Sequence, residues 1–155
     1  GYANRVFPGI RFSKESVERA DWALELVGMY DESDMPVDTL PVYKRKMLMI
    51  AGALSTNPLI LMMDEPVGGL SPNEIDDIME IVRKVRDAGV TILMIEHVMR
   101  FLVTLSDRII IMHHGKNIYD GKPSELASDK TVVDVYLGEG ASELIADALG
   151  DAGDE

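Results

Sequence analysis

The chain has 155 residues, 46% of them hydrophobic, which is enough apolar material for the core of one domain. Its 27 acidic residues outnumber 15 basic ones, for a net charge of −12, so it lacks the basic footprint that nucleic acid or an anionic membrane surface requires. Cysteine is absent, which excludes disulfides and thiolate metal sites.

Residues 1–12 show no clear period, and the start, Gly1-Tyr2-Ala3, has neither an initiator methionine nor a signal-peptide pattern. Ser13 is a helix cap for a predicted helix from about Lys14 to Tyr30, with Val17, Ala20, Leu24 and Val27 on one face. Asp31 to Thr39 is polar and proline-broken, hence a loop. Pro41 suits the first turn of a second helix running to Leu54, ahead of Asn57-Pro58. Leu59 to Met63 is a continuous apolar run ending at Asp64-Glu65-Pro66, the form of a strand buried on both faces. It is also far shorter than the roughly 18 residues of a membrane span.

Ser71-Pro72-Asn73-Glu74 combines a cap, a first-position proline and a third-position carboxylate, so a helix is predicted from there to about Ala88, stopped by Gly89. Val90 to Ile95 is a second buried strand, Val98 to Leu105 a short helix and Arg108 to His113 a third strand. Gly115 and Gly121 bracket a hairpin arm, Lys116 to Asp120. Short helices are predicted near Ser124 to Ser128 and Thr131 to Leu137, with Ala141 to Leu149 open between helix and disorder. Glu139, Glu143, Asp147, Asp151, Asp154 and Glu155 make the end of the chain an acidic, solvated tail. The alternation of strands and helices predicts an α/β fold, a parallel sheet with helices packed on it.

In open parallel sheets ligands lie beyond the carboxyl ends of the strands, where Asp64-Glu65 and Glu96-His97 fall. Adjacent carboxylates at a strand end suit Mg²⁺ chemistry, one holding the cation and the next polarising a water. Taken alone, the dipeptide is equally loop-side charge, and a lone histidine is more often structural than catalytic. His113-His114 has no third ligand beside it and is assigned to a turn.

In combination these stretches resemble the ATP-binding-cassette (ABC) ATPases. Leu59 to Pro66 is similar to their Walker B strand, Gly68-Gly69-Leu70-Ser71-Pro72 to their D-loop, and Glu96-His97 to their switch histidine. Leu40 to Leu54 is similar to their signature motif and its helix. The tail from Val133 to Gly140 and the D-loop resemble ATPase subunits of branched-chain amino-acid importers. The resemblance implies the C-terminal portion of a P-loop NTPase fold. Residues 1–40 would be part of a helical subdomain, 41–140 the ATPase core without its Walker A part, and 141–155 the acidic tail. It implies that Asp64 helps hold Mg²⁺, Glu65 is the general base and His97 contacts the γ-phosphate, while Gly69, Leu70 and Ser71 touch a partner ATPase.

Two departures from the family pattern stand out. No G-x-x-x-x-G-K-[ST] occurs: Gly121-Lys122 has Lys116 at the first glycine position, and Gly115-Lys116 has Ile110 there. The phosphate cradle is therefore expected ahead of Gly1, and the chain alone is expected to be inactive and not to bind Mg-ATP. The signature, usually Leu-Ser-Gly-Gly-Gln, is Leu40-Pro41-Val42-Tyr43-Lys44, and Gly52 replaces a usual arginine. Either Lys44, with Arg45 and Lys46, supplies charge to the opposite phosphate, or these are solvated cations beside a weakened site.

The resemblance implies a cytoplasmic ATPase subunit, peripheral at the inner face of the membrane. It would dimerise with a second ABC ATPase, homologous or identical, beneath transmembrane permease subunits, using ATP and Mg²⁺ to import a small solute. The alternatives are a non-catalytic module docking on an intact ATPase and the ATPase of a lipid-export system.

Overall fold

The computed structural model describes residues 12–129 and 132. The expected helix at Thr131 to Leu137 (save Val132, which is helical), the tail motif and the acidic tail lie outside these residues. The chain divides into two compact units, Gly1–Ile95 and Glu96–Glu155.

In the first unit α1 (Lys14–Leu26) is opened by Ser13, whose Oγ accepts the Ser16 N–H at 3.1 Å. It stops four residues short of the expected end. Gly28, at φ +72°, donates to the Glu25 carbonyl while Met29 donates to that of Leu24, a closure that requires a left-handed residue. A short 3₁₀ turn, Tyr30–Glu32, follows. The buried face is also rotated from the expected one: Ala23 and Val27 are buried, whereas Val17 is exposed.

A second 3₁₀ turn, Val37–Thr39, leads to α2 (Val42–Leu54). Pro41 is extended, with ψ 162°, so it stands just outside the helix as its cap and not in the first turn. Met47, Ile50, Ala51 and Leu54 form its buried stripe at helical spacing, and α1 packs on α2.

Strand β1 (Ile60–Asp64) pairs in parallel with β2 (Thr91–Ile95), Ile60 opposite Thr91 and Asp64 opposite Ile95. Between them runs α3 (Pro72–Asp87), with Ile78, Met79, Ile81, Val82 and Val85 buried. The strands are not buried on both faces as expected. Leu61 is buried, but Ile60, Met62, Leu93 and Ile95 form an exposed apolar strip, Met62 at 72% and Ile95 at 65%. A continuous apolar run specifies that both faces suit a core; it does not specify that both are covered.

The second unit contains α4 (Met99–Leu105), β3 (Ile109–His113), β4 (Lys116–Gly121) and a 3₁₀ turn, Pro123–Ser128. The third strand was expected in the parallel sheet; instead β3 pairs antiparallel with β4 as a separate two-stranded sheet. His114 at φ +47° and Gly115 at φ +75° are the two central residues of the connecting turn, the backbone that twisted hairpins favour. Of the two histidines expected in a turn, His114 is a central turn residue, whereas His113 is the last residue of β3, paired with Lys116; their rings are 4.1 Å apart. Arg108 closes the far end with two 2.7 Å bonds to the Asp120 carboxylate, which lowers the carboxyl's pKa through that hydrogen bond.

Val103, Ile109, Ile111, Tyr119, Leu126 and Val132 form the core of this unit. Leu126 is fully buried, so Leu126→Ala should destabilise the unit by about 2–5 kcal/mol. A urea titration followed through the Tyr119 amide signal measures it, and a loss well under 1 kcal/mol would place Leu126 outside that core.

Candidate functional site

The turn after β1 carries the strand-end carboxylates. Asp64, the last paired residue, is exposed beyond the register with Ile95. Glu65 follows with its N–H donating to the Ile95 carbonyl at 2.9 Å, so the pairing extends one residue further. Its φ of +46° is in the left-handed region, uncommon for a residue with a Cβ. The chain then reverses: Gly68 N–H donates to the Glu65 carbonyl at 3.2 Å and Leu70 N–H to that of Val67 at 3.2 Å. A Cβ built on Gly68 would lie 3.7 Å from Glu65 Oε2, so the Glu65 side chain folds over this turn. Gly69 has φ +77°, which glycine adopts without strain.

Ser71 then opens α3. The Glu74 carboxylate accepts from Ser71 N–H at 2.8 Å and from its hydroxyl at 2.7 Å, completing the capping box read from the sequence. The backbone bond first, and the hydroxyl second, hold the Glu74 carboxyl below its ordinary pKa.

The segment at 40–46 reaches the same unit through four side chains. Leu40 is buried, and its carbonyl accepts from Arg45 Nε at 2.8 Å. The Tyr43 hydroxyl donates to Asp77 Oδ2 on α3 at 3.1 Å. Lys44 Nζ lies 2.9 Å from Glu32 Oε1, each side chain 27% exposed. Lys46 Nζ donates to the Glu65 carbonyl at 3.0 Å. Pro41 and Val42 are exposed.

The first unit thus gathers Asp64, Glu65, the turn Gly69-Leu70-Ser71 and the helix at 40–46. His97 belongs to the second unit, in the segment between β2 and α4. Its side chain is 64% exposed, whereas that of Glu96 is fully covered. The Glu96 carboxylate accepts the N–H groups of His97 at 3.0 Å and Val98 at 3.3 Å, fixing the backbone on which His97 stands. The sequence names the Glu96-His97 pair but not this division of labour. The other contacts missed from sequence, Lys46 to Glu65, Tyr43 to Asp77 and Lys44 to Glu32, join distant positions with no periodic signal.

The donors constrain what can bind. Among the described residues no three His, Cys, Asp or Glu side chains are grouped to cage a metal. One exposed strand-end carboxylate fits Mg²⁺ that keeps its waters and is carried on a phosphate. No glycine-rich loop in the 155 residues cradles that phosphate.

No family model matches the chain. Pairwise comparison does. The high-affinity branched-chain amino acid transport ATP-binding protein BraF of Pseudomonas aeruginosa is 36% identical over 130 residues, covering 83% of this chain and 51% of the relative. The chain belongs to the ATP-binding-cassette ATPase family. It spans about half the length of the curated relatives it matches. Another relative, a probable branched-chain amino acid transport ATP-binding protein, LivG, of Methanocaldococcus jannaschii, is 33% identical over 81% of this chain and 51% of its own. The ADP conformation of MJ1267, an ATP-binding cassette of an ABC transporter, superposes with a TM-score of 0.75 at 31% identity, over 87% of this chain and 55% of that one. A nucleotide-free cassette of an ABC transporter gives 0.74 at 30% identity, over 88% and 56%. The α/β cassette fold expected from the sequence therefore holds, within the strand differences described above.

Tyr43, in the segment expected to be the signature, has a consequence in alkali. Partial burial, then the bond to Asp77, pushes its phenol pKa up to about 12 from an ordinary value near 10. The folded state therefore holds this proton more tightly than the unfolded state. The resulting stability is complete below about pH 10 and is lost as pH rises towards 12. Tyr43→Phe should remove a phenolate step near pH 12 and flatten the stability profile over that window, measured by phenolate absorbance and thermal melts; loss of a step near pH 10 instead would contradict the raised pKa.

Proposed function

We propose that this chain is the C-terminal half of the ATP-binding subunit of an ABC importer, whose cargo is a branched-chain amino acid. The observation that carries this is the turn at 64–71, where a carboxylate pair at a parallel strand end leads through a fixed reversal into Gly69-Leu70-Ser71. The named relatives support the cargo, since BraF and LivG are branched-chain amino acid transport proteins. Asp64 would hold Mg²⁺ through water, Glu65 would accept a proton from the attacking water, and His97 would donate to the γ-phosphate. Bound Mg-ATP supplies the phosphoryl group and the charge neutralisation for its transfer. Gly69 to Ser71 would face a second ATPase subunit, with permease subunits above the dimer. No helix among the described residues is long and apolar enough to cross a membrane. The subunit would sit on the cytoplasmic side, beneath the permease.

The exposed strip Ile60, Met62, Leu93 and Ile95 supports the half-cassette reading, because an apolar sheet face is stable when another layer covers it. With no phosphate cradle in its sequence, the chain by itself should give no heat of Mg-ATP binding in a calorimeter; low-micromolar affinity would overturn this assignment. In the assembled dimer, Glu65→Gln should lower phosphate release by about 10²–10⁴-fold and trap ATP unhydrolysed, the range that general bases contribute. Phosphate release at the original rate would remove Glu65 from the role of base.

The start of α2 supports the plainer of the two signature readings. Lys44 is already paired with Glu32, and Arg45 with the Leu40 carbonyl, so both serve their own unit. Lys44→Ala should cost about 1 kcal/mol, the upper end for ion pairs that keep some exposure, read from a thermal melt. A loss of ATPase activity far beyond that cost would instead assign Lys44 to the opposite phosphate.

A further inference from the structure

Glu65 is the only described position in the site that combines a left-handed non-glycine backbone with a proposed chemical role. Such conformations persist only where the surroundings over-determine them. Three hydrogen bonds do so here. The Glu65 N–H is held by the Ile95 carbonyl of β2, and its carbonyl accepts from Gly68 N–H, one turn ahead, and from Lys46 Nζ. The first two are backbone bonds that many sequences would form. The third is a side-chain bond across 19 residues of chain, from the middle of α2.

We propose that Lys46 is a positioning residue for Glu65, an ammonium clamp that locks the peptide after the proposed base and so fixes where its carboxylate points. Lys46 has this role only if Glu65 is the base, as proposed above. The physical logic is direct. A carbonyl satisfied by one amide at 3.2 Å retains a second lone pair, and a cation at 3.0 Å fills it with a charge-assisted bond. With the carbonyl fixed, the 65–66 peptide cannot rotate, and the left-handed φ that folds the side chain over Gly68 is retained. A base displaced by 1 Å loses much of its effect, so one hydrogen bond on its backbone is enough to matter.

Lys46 also connects two parts of the site. It lies on α2, less than one turn beyond Lys44, on the helix that begins at the altered signature segment. Because this bond starts on α2 and ends on the Glu65 carbonyl, a movement of the helix that the lysine side chain cannot follow would break it. The clamp therefore makes the geometry of Glu65 depend on the placement of the signature helix.

Amide hydrogen exchange on this chain tests the clamp without nucleotide. Lys46→Met should raise exchange at the Glu65 and Gly68 amides tenfold or more while leaving the α3 amides of Ile78 and Val82 unchanged. Lys46→Arg, which keeps a cationic donor, should restore protection. Unchanged exchange at both turn amides would overturn the proposal, as would a uniform rise that includes α3, the mark of general destabilisation. In the assembled ATPase, Lys46→Met should lower kcat tenfold or more with KM for ATP held, and Lys46→Arg should recover most of it. Local exchange with an unaltered kcat would remove the catalytic part of the proposal. Normal phosphate release by Glu65→Gln would instead show that Glu65 is not the base, whatever Lys46 does to the turn.

Discussion

The parallel pairing of β1 with β2 is the constraint on which the proposed chemistry depends. It places Asp64 opposite Ile95 and lets the Glu65 N–H take the Ile95 carbonyl, so the position of Glu65, the proposed base, is set by the register of two strands. A slip of one residue would exchange the faces of Leu61 and Met62 and move both carboxylates off the turn. The pairing needs a crossover of a dozen or more residues, which α3 supplies with a cap at Ser71 and a stop at Gly89. The turn Pro66 to Leu70 therefore joins two elements whose ends are both fixed. That explains how a glutamate is kept at positive φ.

One-sided burial has a consequence for energetics. Leu61 is buried while Ile60, Met62, Leu93 and Ile95 are exposed, so the two-stranded sheet has gained the hydrophobic stabilisation of only one face. A pair of strands is marginal in water unless a layer packs against it. The capping box, the Schellman closure at Gly28 and the stripe on α2 are local devices whose contribution does not require the second face. The first unit therefore concentrates its fixed geometry at the carboxyl ends of the strands, where the carboxylates are, and leaves its apolar reserve on the open face.

What was legible in the sequence follows the range of the interactions involved. Ser13, Ser71-Pro72-Asn73-Glu74, Gly89 and the Gly115 turn act within a few residues, and the structure places caps, stops and turn where the sequence puts them. The end of α1 was equally local, but the apolar spacing through Val27 outweighed Gly28, which is the residue that ends it. The pairing of β3 with β4 is also local, across the His114-Gly115 turn, and the hairpin arm was read from its bracketing glycines; the apolar run of β3 does not by itself say whether it also joins the parallel sheet. Of the candidate site, Asp64, Glu65, Gly69, Leu70 and Ser71 were placed together by sequence continuity alone. The anchors at Glu32, Asp77 and Lys46 depend on α2 docking, and no spacing in the sequence encodes that.

The altered signature is best understood from where its side chains go. Tyr43 reaches α3, Lys44 reaches the turn at Glu32, Arg45 returns to Leu40, and Lys46 reaches the Glu65 carbonyl. A glycine at position 43 would offer none of these contacts, but it would let a phosphate approach the backbone. In the signature reading proposed above, the residues present exchange access for attachment, because their side chains anchor the segment to the chain's own unit. Three of these bonds tie α2 to other elements of its unit, and the Arg45 bond closes on the residue just ahead of the helix. Of the four, only the Lys46 bond ends on the residue proposed to act on water, so it alone ties α2 to the proposed base.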